Sequence, residues 1–181
     1  MARRFARLRP GTVPESEDYS VVPSDGLCLN VFLIVRSPID PSRILLGRLD
    51  PTAPWRDLAG LGPDRVGRIG DRWMLPASQL LILEGPDDGA RRLARELLGL
   101  ELTELPRPRV LSETYGREGT PTADPHWDLH YVYDLPGPSA RPPTARPWSE
   151  LEYVDIARTP RARFGRGHAD VLELLGFAPA P

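Results

Sequence analysis

Sixteen glycines and 22 prolines interrupt this chain of 181 residues, and they constrain its fold more than any other feature. Proline lacks the N–H that helices and central strands need, and glycine weakens both elements. Long helices therefore cannot dominate, and much of the chain must lie in turns and loops. At this length we expect one core domain with irregular ends.

Charge and cysteine content exclude several classes of protein. The formal net charge of −2 is too small for non-specific binding of nucleic acid, so we expect no nucleic acid partner. Cys28 is the only cysteine, which excludes an intrachain disulfide and a zinc site built from cysteines. The apolar runs are shorter than the about 18 residues of a membrane span, and the N-terminus does not resemble a secretory signal. We expect a soluble cytoplasmic protein without a membrane partner.

Hydrophobic patterning predicts a series of strands interrupted by two helices. The strands are predicted at 28–35, 43–48, 73–75, 79–84, 107–115, 127–135 and 151–156. Residues 50–71, rich in glycine and proline, are predicted to form a long loop. The element order favours an α+β fold in which helices cover a mixed sheet. An arm at 1–25 precedes this domain.

The two predicted helices have clear end signals. The first is predicted at 87–98, with the carboxylate of Asp87 or Asp88 as its N-cap and Gly99 as its left-handed terminator. The second is predicted at 167–175 and ends at Gly176. It belongs to a C-terminal helix and tail at 159–181.

The segment 73–100 contains charged residues at a particular spacing: Glu84, Arg92, Glu96 and then Gly99–Leu100. This spacing resembles the Nudix box, which reads glycine, five residues, glutamate, seven residues, Arg-Glu, an apolar residue, one residue, Glu-Glu, one residue, glycine and an apolar residue. The pattern fits without a gap, with its first glycine on Ser78. The resemblance covers about residues 26–158 and implies a Nudix-like α/β/α sandwich with a mixed β-sheet.

Two of the three helix positions that carry carboxylates in the Nudix family hold leucine in this chain, namely Leu93 and Leu97. The resemblance implies that a working box would bind Mg²⁺ or Mn²⁺, with Glu96 as the remaining catalytic and metal-binding carboxylate. Those cations need several hard oxygen donors, which leucine cannot supply, so we expect no tightly bound metal. Glu84, Arg92 and Gly99 are predicted to keep a structural role, with Glu84, Arg92 and Glu96 pinning the loop onto the helix. Leu93 and Leu97 are predicted to be covered by the arm, the 50–71 loop or a second subunit.

Other groups of residues offer alternative sites. His126, Asp128 and His130 alternate along a predicted strand, so they share one face and present either a metal site or a solvated surface. The resemblance to the Nudix family also makes Glu113, Glu118, Asp124 and Asp128 candidates for a distal acidic residue that acts as base or metal ligand; the alternative is that they are ordinary acids of surface loops. Trp55, Arg56 and Arg72, with Arg65 and Arg68, form either a nucleotide-binding group or a solvated loop.

The sequence thus supports two functional hypotheses. In the first, a weak or inactive Nudix-fold hydrolase binds a nucleotide diphosphate or another protein. In the second, an active metal-dependent hydrolase of a nucleoside-diphosphate-linked substrate has moved its metal site to Glu96 and the acids of 113–130. In either case we expect a homodimer. The arm and the proline-rich connection 136–147 have little means of burying themselves against a single core, and symmetric dimers are the commonest oligomers.

Overall fold

A computed structural model describes residues 7–8, 26–115, 126–139, 147–165 and 167–181. The strands are β1 (Arg7–Leu8), β2 (Gly26–Arg36), β3 (Arg43–Leu49), β4 (Ala77–Gln79), β5 (Arg109–Tyr115), β6 (His126–Pro136) and β7 (Trp148–Asp155). The helices are α1 (Trp55–Ala59), α2 (Pro63–Ile69), α3 (Pro86–Leu98) and α4 (His168–Leu174), with 3₁₀ turns at Ile156–Arg158 and Arg161–Arg163. Among the helices of these ranges, none has the length and apolar character needed to cross a membrane.

One mixed sheet organises the described chain, with the strand order β5-β6-β2-β3-β7. β2 and β6 run parallel over their whole length, in register from Gly26 opposite His126 to Arg36 opposite Pro136. The other pairs are antiparallel, and β1 and β4 pair with further stretches of β2. The prediction that 28–35 and 127–135 share one mixed sheet is therefore confirmed.

Alternating side chains of the central strands form two cores, one on each face of the sheet. The first core contains Val31, Leu33 and Tyr133 and is covered by α1, α2 and α3. The second core contains Phe32, Ile34 and Val132 and is covered by the C-terminal segment with α4. Helices on both faces of a mixed sheet make the predicted α+β sandwich.

The helix α3 forms where the periodicity places it and ends at Gly99, as predicted. Gly99 has a φ of 64°, a left-handed conformation that glycine adopts without steric cost. The predicted N-cap is wrong, because Gly85 occupies the cap position without a side-chain hydrogen bond and Pro86 begins the helix. Asp87 instead accepts a hydrogen bond from the hydroxyl of Tyr133, at 2.5 Å.

Three predicted segments differ from the structure. The strand predicted at 73–75 is reduced to isolated bridges, of Trp73 with Phe164 and of Met74 with Gly47. Residues 50–71 are not a continuous loop, because they contain α1 and α2, which end at Gly60 and Gly70. The strand predicted at 79–84 stops at Gln79, and the chain then turns so that Glu84 lies beside α3. The C-terminal helix is present at His168–Leu174, close to its predicted bounds.

Candidate functional site

The loop before α3 is fixed to the helix by a buried ion pair. Arg92 Nε donates to Glu84 Oε1 at 2.7 Å, and Arg92 Nη2 donates to Glu84 Oε2 at 2.8 Å. Arg92 Nη2 also donates to the carbonyl of Gln79, and the backbone N–H of Leu81 donates to Glu84 Oε2. A bidentate arginine–carboxylate pair sets both distance and orientation, so the predicted contact between loop and helix is present.

Glu96 lies one turn further along α3, on the same side as Arg92. Its Oε2 atom is 3.9 Å from Arg92 Nη1, and the side chain is 19% exposed. Nη1 is buried and has no hydrogen-bond partner among the described residues. A buried cation thus lies 3.9 Å from Glu96, and its charge would repel a metal ion bound there.

The side of α3 that carries Leu93 and Leu97 is sealed. Both leucines are 0% exposed and belong to the first core. The indole N–H of Trp148 donates to the carbonyl of Leu97 at 2.8 Å, and its ring packs edge-on against Trp55 with centroids 4.9 Å apart. The predicted coverage of the leucines is confirmed, with Trp55 from the 50–71 segment and with β7, which supplies Trp148.

The role of Trp148 was not foreseen from the sequence. Its ring lies against Gly47 of β3, where an added Cβ would come within 2.2 Å of the indole Cε3 atom. Glycine at that position therefore gives the indole its place on the sheet. A signal exists in the sequence, a glycine inside a predicted strand, but its meaning depends on the pairing of β3 with β7.

The positions of the box do not fit a divalent cation. Glu96 is the one carboxylate among the three helix positions, and the other two side chains are apolar and sealed under tryptophan. Nor do the described side chains contain, anywhere in the chain, a group of three or more His, Cys, Asp or Glu that could hold a metal ion.

The predicted nucleotide-binding residues Trp55, Arg56 and Arg72 are only partly accessible to a ligand. Trp55 is 2% exposed, and its Nε1 donates to the carbonyl of Asp50, so the prediction of an open aromatic platform there is wrong. The ring is used in the core because α1 carries it onto Trp148. Arg56 and Arg72 are exposed, and Arg72 donates to the carbonyl of Arg68.

The predicted histidine group on β6 lies on the face of the second core. His130 is buried, with Nε2 2.8 Å from Glu113 Oε2 and its ring edge-on to Phe32 at 5.0 Å. The solvated surface predicted for this face is therefore wrong at His130, since β6 lies inside the sheet and the second core covers this part of the strand. Asp128 is half-buried, at the register of Glu113.

Three other predicted residues lie wholly or partly outside the described part of the chain. His126 begins β6, but its side chain lies outside the described part of the chain, as do Glu118 and Asp124 altogether.

The sequence did not single out His168, which is buried at the start of α4. Its Nδ1 accepts a hydrogen bond from the backbone N–H of Leu75 at 2.9 Å, and burial lowers its pKa to about 3.

Comparison with solved structures gives this fold its name. A dihydroneopterin triphosphate pyrophosphohydrolase from E. coli matches with a TM-score of 0.51 at 13% identity, over 81% of this chain and 92% of that chain. A MutT Nudix hydrolase from Burkholderia pseudomallei matches with a TM-score of 0.52 at 17% identity, over 81% and 96% of the two chains. The chain has the Nudix fold.

A larger protein matches the Nudix fold of this chain over part of its length. It is a bifunctional NMN adenylyltransferase/ADP ribose pyrophosphatase from Francisella tularensis in complex with AMP and a manganese ion, with a TM-score of 0.54 at 15% identity. The match covers 84% of this chain and 42% of that chain. No family model and no curated protein sequence matches the chain. At these identities the likeness concerns the Nudix hydrolase fold alone.

Proposed function

We propose that this protein is a Nudix-fold binding module with little or no hydrolase activity. The observation that carries the proposal is the sealed side of α3, where Leu93 and Leu97 are fully buried in the same core as Trp148. Metal-assisted phosphoryl chemistry needs a cation held in an open, polar position near the substrate. An apolar contact at that place supports binding without turnover.

The proposed ligand is a nucleotide diphosphate, with a protein as the other class to be tested. Arg56 and Arg72 are its proposed phosphate contacts, since both side chains are exposed and a guanidinium group matches phosphate oxygens in geometry and charge. Glu84 and Arg92 keep the loop before α3 in place without touching the ligand. Glu96 has a catalytic role only in the competing hydrolase hypothesis.

Turnover and binding are measured separately. Nucleoside triphosphates, ADP-ribose and dinucleoside polyphosphates are incubated with the protein and Mg²⁺ or Mn²⁺, and phosphate release is followed. We expect no release above the buffer rate. Turnover that the substitution Glu96→Gln abolishes would contradict the proposal and favour the hydrolase with a relocated metal site.

Binding is measured by calorimetry with ADP and ADP-ribose. The double substitution Arg56→Ala and Arg72→Ala is expected to weaken affinity at least about tenfold, as the loss of charge-assisted hydrogen bonds predicts. Arg158→Ala is the matched control, because Arg158 is 88% exposed and lies after β7. Equal weakening by the control would contradict a specific phosphate contact, and absence of binding by both nucleotides would leave a protein as the ligand to be sought.

We also propose that the protein is a homodimer. Symmetric dimers are the commonest oligomers, and the sequences of 1–25 and of the proline-rich connection 136–147 favour an added surface on which to pack. Light scattering at micromolar concentration is expected to give twice the 20.1 kDa mass of the chain. A particle of the single-chain mass would contradict this.

A further inference from the structure

The described sheet has two edges, β5 on one side and β7 on the other. A strand at an edge presents backbone N–H and C=O groups on its outer side, and these groups can pair with another strand. Within the described ranges β5 pairs with β6 alone, in a continuous register from Arg109 to Tyr115. It contains neither a proline nor a register shift, two of the devices that stop an edge from pairing.

The side chains of β5 also leave apolar and charged groups near the surface. Val110 is 58% exposed, and Trp127 on the neighbouring β6 is 55% exposed. Arg109 is exposed at the start of the strand, and Glu113 lies two residues beyond Leu111. The strand therefore carries opposite charges at equal distances on either side of Leu111.

We propose that a second copy of this chain pairs antiparallel with β5, with the two-fold axis at Leu111. This register sets Arg109 opposite Glu113 of the partner subunit, and the pair occurs twice by symmetry. Opposite charges directly across an antiparallel pair stabilise it. The proposal rests on the homodimer proposed above and specifies its interface.

The register follows from the order of residues along β5. An axis at Ser112 would set Arg109 opposite Tyr115 of the partner subunit, and an axis at Val110 would set Arg109 opposite the partner's Leu111. Neither arrangement joins opposite charges. Glu113 already pairs with His130, but a carboxylate has two oxygens and accepts several hydrogen bonds, so it can bind the arginine as well.

A neighbouring pocket strengthens the charge argument. An open pocket between β5 and α4 is lined by Glu113, Thr114, Asp170, Glu173 and Leu174. Three of these residues are acidic, and Arg161 pairs with Asp170 and Glu173 from the far side. Arg109 of the partner subunit would add a positive charge at the mouth of this pocket, which favours β5 pairing electrostatically.

The other edge does not suit a second copy. β7 carries Glu150, Glu152 and Asp155 and contains no basic residue. Antiparallel pairings of β7 with itself centred on Glu150, Leu151 or Glu152 would bring like charges together, which destabilises a strand pair, and no centre would join opposite charges. The charge pattern therefore selects β5 over β7.

Cysteine cross-linking tests the register. In the proposed dimer the two copies of Leu111 face each other, so the substitution Leu111→Cys is expected to give a covalent dimer under mild oxidation. Thr114→Cys is the control. In the proposed register the two copies of Thr114 are offset by six residues along the strands, which places them roughly 20 Å apart. The wild-type Cys28 is buried and is expected to give no cross-link.

Charge reversal tests the pairing independently. Arg109→Glu is expected to raise the dimer dissociation constant at least about tenfold in light scattering or sedimentation. Arg158→Glu makes the same change of charge away from β5 and is expected to leave the constant unchanged. An unchanged constant in Arg109→Glu contradicts the proposed register.

The failures of the two proposals are distinguishable. A monomeric wild-type protein would overturn both the homodimer and its interface. A dimer that does not cross-link at Leu111→Cys would overturn the β5 interface and leave the homodimer standing. Neither result bears on ligand binding or hydrolysis, which are measured on the same preparations.

Discussion

The two sides of α3 carry different kinds of residue. One side keeps Arg92 in a bidentate pair with Glu84, with Glu96 a turn away. The other side carries Leu93 and Leu97, fully buried beneath Trp148. Both sides belong to the segment that resembles a Nudix box, yet polar residues remain on only one of them.

The difference separates two demands that such a segment meets. The Glu84–Arg92 pair joins the loop to the helix, and removing either partner would leave a buried charge uncompensated. The leucine positions make no such contact with the loop, so apolar residues can replace carboxylates there and contribute packing. The contact that fixes the loop to the helix therefore does not depend on carboxylates at the two leucine positions.

The strongest way to break this comparison is to restore carboxylates on the leucine side. The double substitution Leu93→Glu and Leu97→Glu is expected to lower the free energy of unfolding by more than about 5 kcal/mol, because it places two charges in a closed apolar core. Thermal unfolding followed by circular dichroism measures the effect. Arg95→Glu on the exposed side of the same helix is the control and is expected to change little.

A milder pair keeps this test informative if the double variant does not fold. Leu93→Ala and Leu97→Ala each create a cavity and should cost about 2–5 kcal/mol. The opposite result, a double glutamate variant with unchanged melting temperature and new affinity for Mg²⁺ or Mn²⁺ in calorimetry, would mean that the leucines face an open cleft in solution.

The ionic side is tested by removing Arg92. Arg92→Met is expected to cost about 3–5 kcal/mol, because Glu84 would remain buried without its cation. Glu84→Gln together with Arg92→Met should cost less than the sum of the single changes, since the double variant leaves neither charge alone. A double-mutant cycle by urea unfolding measures this coupling, and strict additivity would contradict a structural role for the pair.

The sequence could predict the course and the end of α3, though not its N-cap, because local signals define them. Its apolar period marks the buried side, and Gly99 ends it with a positive φ. The same reasoning gives a wrong prediction at 50–71, where Gly60 and Gly70 favour a loop. Both glycines in fact follow short helices and have positive φ, and helices of five and seven residues give too little periodicity to be recognised.

The site depended on information that no local pattern contains. The burial of His130 follows from the position of β6 between β5 and β2. The alternation of residues along one strand does not show which strands lie beside it. The burial of Trp55 depends on Trp148, which lies 93 residues further along the chain and reaches it across Gly47. Spacing could identify the box, but tertiary packing decided which of its residues are accessible.

Acidification sharpens the comparison, because its clearest target is a histidine on the opposite face of the sheet from α3. Burial lowers the pKa of His168 to about 3, while the unfolded chain keeps a value near 6.5. Below pH 6.5 the unfolded state takes up a proton that the folded state does not, so stability falls as the pH decreases towards 3. At pH 5 the expected loss is about 2 kcal/mol.

Urea unfolding at pH 7 and pH 5 measures this loss. His168→Asn is the control variant, because its amide oxygen can accept the hydrogen bond from Leu75 without titrating. Between pH 7 and pH 5, we expect the variant to lose about 2 kcal/mol less of its free energy of unfolding than the wild type loses. An equal slope in both proteins would mean that groups other than His168 determine the response to acid.

The smallest expected effect concerns Leu83, immediately before Glu84 on the ionic side of the comparison. Leu83 has a φ of 68° and is fully exposed, so it occupies a left-handed conformation without packing in return. That conformation costs a residue with a Cβ roughly 1–2 kcal/mol, and glycine adopts it freely at some cost in chain entropy. Leu83→Gly should therefore stabilise the protein by about 0.5–1 kcal/mol. Leu83→Ala removes the apolar side chain but keeps the Cβ, so it should leave the urea midpoint nearly unchanged. Equal stabilisation by both substitutions would locate the cost in the exposed leucine side chain and not in the backbone of the loop.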